Sequence, residues 1–215
     1  MKFFTLSILL YLSTIYICFS VEKNIILFIT DDQSPDAGCY GNKSIKMPNL
    51  DNLASDATLF TNAFATTASC SASRSVILSG LHNHLNGQYG HQHNYHKFSS
   101  FQNIQSLPVI LAKHGYRTFR IGKYHVAPEP VYRFETTLQG NSRNAVQMAK
   151  NCEELINSKN AKPFFLYFAT SDPHRGGGTD KSSKFKPDLF GNKSNKGSHN
   201  GVNEVFYDIK DVEVP

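Results

Sequence analysis

Charge is scarce in this chain: Asp, Glu, Lys and Arg make up 18% of its 215 residues, and the formal net charge is only +5. A mild positive balance suits an anionic substrate without selecting one. There is no long single-residue tract, and 40% of the residues are hydrophobic, which excludes a disordered, collagen-like or coiled-coil chain. No segment repeats, so a repeat architecture is excluded. No basic helix, zinc-finger spacing or aromatic–basic run is present, so nucleic acid is not an expected partner. What remains is a globular chain of one or two domains with enough apolar residues for a core.

The start of the chain reads as a targeting segment. Met1-Lys2 carries one positive side chain, and an uncharged run rich in Phe, Leu, Ile and Tyr follows up to Val21. Cys18 and Ser20 are small residues at −3 and −1 of a cleavage after Ser20. Residues 1–20 are therefore expected to be a secretory signal peptide, with an uncleaved anchor as the alternative and no stable membrane insertion of the mature chain. Export makes the Asn-Lys-Ser sequons at Asn42 and Asn192 expected glycan acceptors. It also leaves Cys39, Cys70 and Cys152, an odd number in an oxidising compartment. A Cys39–Cys152 bridge is one pairing compatible with that count, and Cys70 is the thiol to be explained.

Asn24–Thr30 is a continuous apolar run, the pattern of a strand buried on both faces of a parallel sheet, and it ends in Asp31-Asp32. Adjacent carboxylates at a buried strand end need a cation or hydrogen bonds; a solvated turn or helix cap is the alternative. Pro48–Ser55 suits a short helix and Thr58–Ala65 a second strand. Cys70–Ser79 closed by Gly80 reads as a helix with Cys70 at its N-terminus, where the backbone favours an anion. A helix over Ser106–His114 leads into a strand over Tyr116–Ile121 and then Gly122-Lys123-Tyr124-His125. Residues 141–158 suit one amphipathic helix, and Lys162–Ala169 is a buried strand running into Asp172-Pro173-His174. Three strand ends thus deliver Asp31/Asp32, Lys123/His125 and His174 to one edge of a doubly wound sheet, with Cys70 beside them. The five histidines from His82 to His96 match no zinc spacing and are expected to be solvated loop side chains. Residues 176–201, rich in Gly, Ser, Lys and Asn, read as a flexible loop.

These motifs resemble the sulfatase family. Cys70-Ser-Ala-Ser-Arg74 before Leu78-Ser-Gly80 resembles its signature, with Ala72 where Pro is usual. Asp31-Asp32, Gly122-Lys123-x-His125 and Asp172-Pro173-His174 resemble its other site motifs, in the same order. Further stretches, Asn86–Gly90, His125–Glu129 and Pro163–Tyr167, are similar to the branch that removes N-linked sulfate (sulfamate) from non-reducing-end glucosamine of heparan sulfate. The resemblance implies an α/β, alkaline-phosphatase-like doubly wound mixed sheet, of which residues 21–215 would form the N-terminal part. It implies one Ca2+ ion on Asp31, Asp32 and residue 70, and oxidation of Cys70 to formylglycine by the formylglycine-generating enzyme. A thiol would leave a stable thiosulfate, whereas an aldehyde hydrate offers one hydroxyl to attack sulfur and another to expel sulfate.

In the same resemblance Arg74 holds that hydrate, Lys123 contacts the sulfate, His125 is the base, and His174 protonates the leaving nitrogen or contacts the sulfate. It implies lysosomal delivery through the secretory pathway, with secretion as the alternative, and a homodimeric full-length form. The family is about twice this length, and no Ser-Asp-Asn-Gly-like segment carrying its later calcium ligands is found here. The expectation is an incomplete domain that exposes apolar surface. The alternatives to that N-sulfatase activity are an inactive sulfatase-like fragment and an O-sulfatase for another sulfated glycan. A phosphodiesterase or phosphatase relative would want Thr or Ser at position 70.

Overall fold

A computed structural model describes residues 22–93, 95–160 and 162–174. The expected signal peptide, the sequon at Asn192 and the 176–201 loop lie outside the described residues. The architecture is a four-stranded sheet in the order β1-β4-β2-β3, formed by Ile25–Asp31 (β1), Arg117–Gly122 (β2), Thr136–Thr137 (β3) and Phe164–Pro173 (β4). All three pairings are parallel. Helices Pro48–Ser55 (α1), Cys70–Ser79 (α2), Asn83–Asn86 (α3), Leu107–Lys113 (α4), Ala145–Asn151 (α5) and Glu153–Asn157 (α6), with one 3-10 turn over Gly38–Tyr40, complete the described elements.

β4 is the buried centre, and its alternation divides the core. Phe165, Tyr167 and Ala169 face Leu78 of α2 together with Val126, Val131, Tyr132 and Phe134. Phe164, Leu166 and Phe168 face Ile121, Met148, Cys152 and Leu155 beneath α5 and α6. Side chains two apart on a strand point to the same face, so one unbroken apolar run feeds both layers.

Several expectations need correction. β1 is not buried on both faces among the described residues: it pairs only with β4, and Ile26 and Phe28 are 52% and 57% exposed. An apolar run specifies a strand but not whether the sheet continues past it. Residues 58–65 form no strand; they run as an exposed loop with Phe64 91% exposed, because no neighbouring strand among the described residues supplies a hydrogen-bond ladder. The helix expected over 141–158 is two helices meeting at Cys152, whose backbone departs from ideal helix geometry at φ −91°, ψ −7°. Cys39 and Cys152 are not bridged; both are free, and Cys152 is buried in the α5–α6 layer at 1% exposure. No helix of the described residues is long and apolar enough to cross a membrane.

The strand ends place the site. β1, β4 and β2 are adjacent and parallel, so their C-terminal ends share one edge of the sheet, where open α/β folds bind ligands. An irregularity between Ile29 and Asp31 brings Asp31 opposite Pro173, at the end of β4. At the end of β2, Gly122 has φ +84°, and a Cβ there would stand 2.0 Å from the Ala169 carbonyl oxygen. Only glycine lets the chain pass so close while turning Lys123 toward Asp31.

Candidate active site

Asp31 is the hub, 3% exposed. Its Oδ1 accepts from Arg74 Nη2 at 2.9 Å, and its Oδ2 accepts a short hydrogen bond from Lys123 Nζ. Burial pushes the Asp31 carboxyl up, but the bonds from Lys123 and Arg74 outweigh it and hold the group below its ordinary value. Arg74, itself buried, donates through Nη1 to the Tyr167 hydroxyl at 2.7 Å and to the Lys123 carbonyl at 3.2 Å. Burial disfavours its charge, yet Tyr167 and Asp31 more than offset this, and the guanidinium is held firmly protonated.

Cys70 occupies the first position of α2. Its thiol donates weakly to Asp32 Oδ1 at 3.9 Å, and burial pushes its pKa up despite the opposing charge of Lys123. A thiol held protonated is a poor nucleophile in its own right. The preceding Ser69 makes no side-chain cap to the helix, so the first-turn N–H groups stay available to an oxyanion. A buried amide cluster fixes the start of α2: Asn83 Nδ2 donates to the carbonyls of Ala72 at 3.0 Å and Gln88 at 2.7 Å, while Asn86 Nδ2 reaches Ser75 Oγ at 3.1 Å.

Asp32 is exposed, with φ +55°, a left-handed backbone that costs energy in a non-glycine residue and recurs at functional sites. Its Oδ2 lies 3.5 Å from His174 Nε2. Arg143 Nη1 secures that strand end, donating to Asp172 Oδ1 at 2.5 Å and to the His174 carbonyl at 3.1 Å. Ligand atoms of Asp31, Cys70 and His174 lie within 4.8 Å of one another. His125 also has φ +55°. Burial first, then Lys123 and His93, bring its pKa down to about 4.

Asp31, Asp32, Cys70, Arg74, Lys123 and His174 therefore converge at one edge, linked by these contacts, and His125 stands two residues from Lys123 at the end of the same strand. The histidine expectation is corrected in part. His82, His84 and His96 are exposed, but His91 and His93 stack against His125, with His93 Nδ1 2.7 Å from His125 Nε2. Their loop is folded back by Gln92 N–H donating to Ser71 Oγ at 3.2 Å, a contact no sequence spacing encodes. Tyr167, Asn83 and Arg143 were also not legible as site residues; each sits in an ordinary strand or helix context, and only the fold brings it to the site.

A family model described as Sulfatase matches residues 23–203. The chain belongs to the sulfatase family. Over 207 residues it is 37% identical to N-sulphoglucosamine sulphohydrolase of Homo sapiens, a match covering 93% of this chain and 41% of the relative. It is 35% identical over 161 residues to an ulvan-active sulfatase of Formosa agariphila, covering 72% of this chain and 31% of that one. A solved structure in complex with its substrate D-glucosamine-2-N,6-O-disulfate superposes with a TM-score of 0.59 at 27% identity, covering 71% of this chain and 35% of that one. The sheet and its flanking helices are thus the α/β, alkaline-phosphatase-like arrangement of sulfatases. This sulfatase chain spans about two fifths of the length of the human relative.

Proposed function

We propose that this sulfatase hydrolyses the N-linked sulfate of glucosamine at the non-reducing end of heparan sulfate, using formylglycine at position 70 and one calcium ion. The observation that carries the reading is the buried Asp31–Arg74–Lys123 cluster beside residue 70 at an uncapped helix N-terminus. It concentrates positive charge and backbone donors where a sulfate would sit. The choice of an N-linked sulfate is supported by likeness to the human N-sulphoglucosamine sulphohydrolase; likeness to the protein solved with D-glucosamine-2-N,6-O-disulfate supports a sulfated glucosamine without choosing between its two sulfates.

The donor chemistry around residue 70 fits a hard cation: Asp31 and Asp32 offer carboxylate oxygens, and oxidation of Cys70 would replace a soft sulfur with oxygen. Calcium held there would polarise the sulfate oxygens, and formylglycine would supply the attacking hydroxyl. Arg74, locked by Asp31 and Tyr167, keeps a fixed positive charge acting on residue 70. Lys123 shares its ammonium between Asp31 and the incoming sulfate, stabilising charge as it develops on the sulfate oxygens. His125, neutral down to about pH 4, is available as a base throughout the mildly acidic range. His174, whose Nε2 lies 3.5 Å from Asp32 Oδ2, would give a proton to the leaving amine nitrogen or contact the sulfate.

Conversion of Cys70 would involve the formylglycine-generating enzyme, and delivery would run through the secretory pathway to the lysosome, with secretion as the alternative and a homodimer as the assembly. An O-sulfatase is the second reading, favoured by the match to the ulvan-active sulfatase. Sulfate release from glucosamine carrying only N-sulfate, and from glucosamine carrying only 6-O-sulfate, separates the two. Release from the first, abolished in Lys123→Ala, is the expected result. Release from the second alone would replace the reading with the O-sulfatase, and release from neither would leave a sulfatase-like chain without turnover.

A further inference from the structure

We propose that His91, His93 and His125 form a second metal site, apart from the Asp31–Asp32–residue 70 cluster, that takes a divalent transition ion of the zinc class. One ligand nitrogen from each of the three rings lies within 4.8 Å of the others. The ring centroids are 4.8 Å apart for His93–His125, 4.9 Å for His91–His93 and 5.5 Å for His91–His125. His91 Nδ1 is buried without a hydrogen-bond partner among the described residues, whereas His125 meets His93 through Nε2 and its own unpaired Nδ1 points away from that contact. Buried polar atoms left unpaired are uncommon and call for a partner, and a lone pair aimed at a cation supplies one.

The set is nitrogen-only, which suits Zn2+, Co2+, Ni2+ or Cu2+ and does not suit calcium. Three protein ligands leave a fourth tetrahedral position for water. Its framework is already held: Gln92 is tied to Ser71, the His91 carbonyl accepts from Phe98 N–H at 3.0 Å, and His125 follows three residues after the end of β2. Zinc–nitrogen bonds of roughly 2.0–2.1 Å at tetrahedral angles put ligand nitrogens about 3.3 Å apart. The His93–His125 pair, now a hydrogen bond at 2.7 Å, must therefore open slightly and the stacked rings must turn. His93 is exposed, so its ring can turn once that hydrogen bond opens. Lys123 and Arg74 bear on His125 as positive charges, and both are paired with Asp31.

A metal here would occupy the His125 lone pair, so transition ions would inhibit turnover. That consequence rests on the proposed role of His125, whereas binding itself does not.

The test is titration of the chain with Co2+ in excess calcium, read by the visible absorption of four-coordinate cobalt and by its displacement with Zn2+. One equivalent of cobalt is expected. His93→Gln and His91→Gln should each weaken binding by more than the roughly 10–100-fold that loss of an outer-shell partner costs. Cys70→Ala should retain it, since the competing Asp31–Cys70–His174 cluster would lose its sulfur. Unchanged thermal melting of His93→Gln guards against a folding artefact, and His91→Gln provides a second route if it melts early. Absence of the cobalt bands, or bands lost in Cys70→Ala but intact in both histidine variants, would overturn the assignment. Either result would leave sulfate hydrolysis untouched.

Discussion

At the scale of single residues, the site depends on one carboxylate that neutralises two cations. Removing one partner of a buried ion pair leaves the other uncompensated, which typically costs about 3–5 kcal/mol. Asp31→Asn should therefore destabilise the fold by that order, since Arg74 is buried and, among the described residues, has no other carboxylate on it. Tyr167→Phe removes only a hydrogen bond to the same guanidinium, worth about 1.5–3 kcal/mol, and should cost less. Urea denaturation of both variants checks the order, and a larger loss for Tyr167→Phe would refute the central place of Asp31. His125 carries a second expectation. Its folded pKa, about 4, lies below the roughly 6.5 of free imidazole. The unfolded chain then binds more protons in this window, so the histidine's contribution to stability is complete above about pH 6.5 and is lost as pH falls through about 4. Ring-proton NMR of metal-free protein should place the midpoint near the lower value; titration near 6.5 would mean that burial and Lys123 do not control this ring.

Elements matter here through their ends. α2 starts at residue 70 and stops at Gly80, whose φ of +68° and N–H bond to Val76 O close the helix. Gly122 also has a positive φ, but its Cβ position is occupied by the Ala169 carbonyl and Met148 Cε, whereas nothing lies within 4 Å at Gly80. Gly80→Ala should cost only the left-handed penalty of about 1–2 kcal/mol. Gly122→Ala should cost clearly more, because β2 must move away from β4 and carry Lys123 with it. Melting of the two variants side by side gives the comparison, and equal losses would show that β2 yields easily. Pattern reading did well where a local signal decides. Proline at the start of α1, glycine after α2 and the unbroken apolar run of β4 were all legible. It failed for residues 58–65, where strand-forming side chains have no strand to pair with, and for the expected single helix that breaks at Cys152.

For the molecule as a whole, the open side of β1 is the exposed feature. β1 is an edge strand among the described residues, and Ile25, Ile26 and Phe28 present apolar surface there. Such an edge templates self-association, which a charged side chain blunts. Ile26→Lys should raise the soluble fraction of the chain and lower its dye-detected apolar surface without altering the core, because Ile26 is already half exposed. No change in light scattering would mean that β1 is covered in solution. The amino-acid sequence by itself determined the order of the chemistry: an acidic pair after one apolar run, a cysteine opening a helix, a lysine and two histidines after later strands. It could do so because strand and helix ends are set by near neighbours, through glycine, proline and the change from apolar to polar residues. Tertiary structure alone decided that Asp31 binds both Arg74 and Lys123, that Tyr167 props the guanidinium, and that His91 and His93 lean on His125. Those contacts join residues up to 93 positions apart. They arise only when parallel pairing places β1, β4 and β2 side by side, and no local preference records which strands will be neighbours.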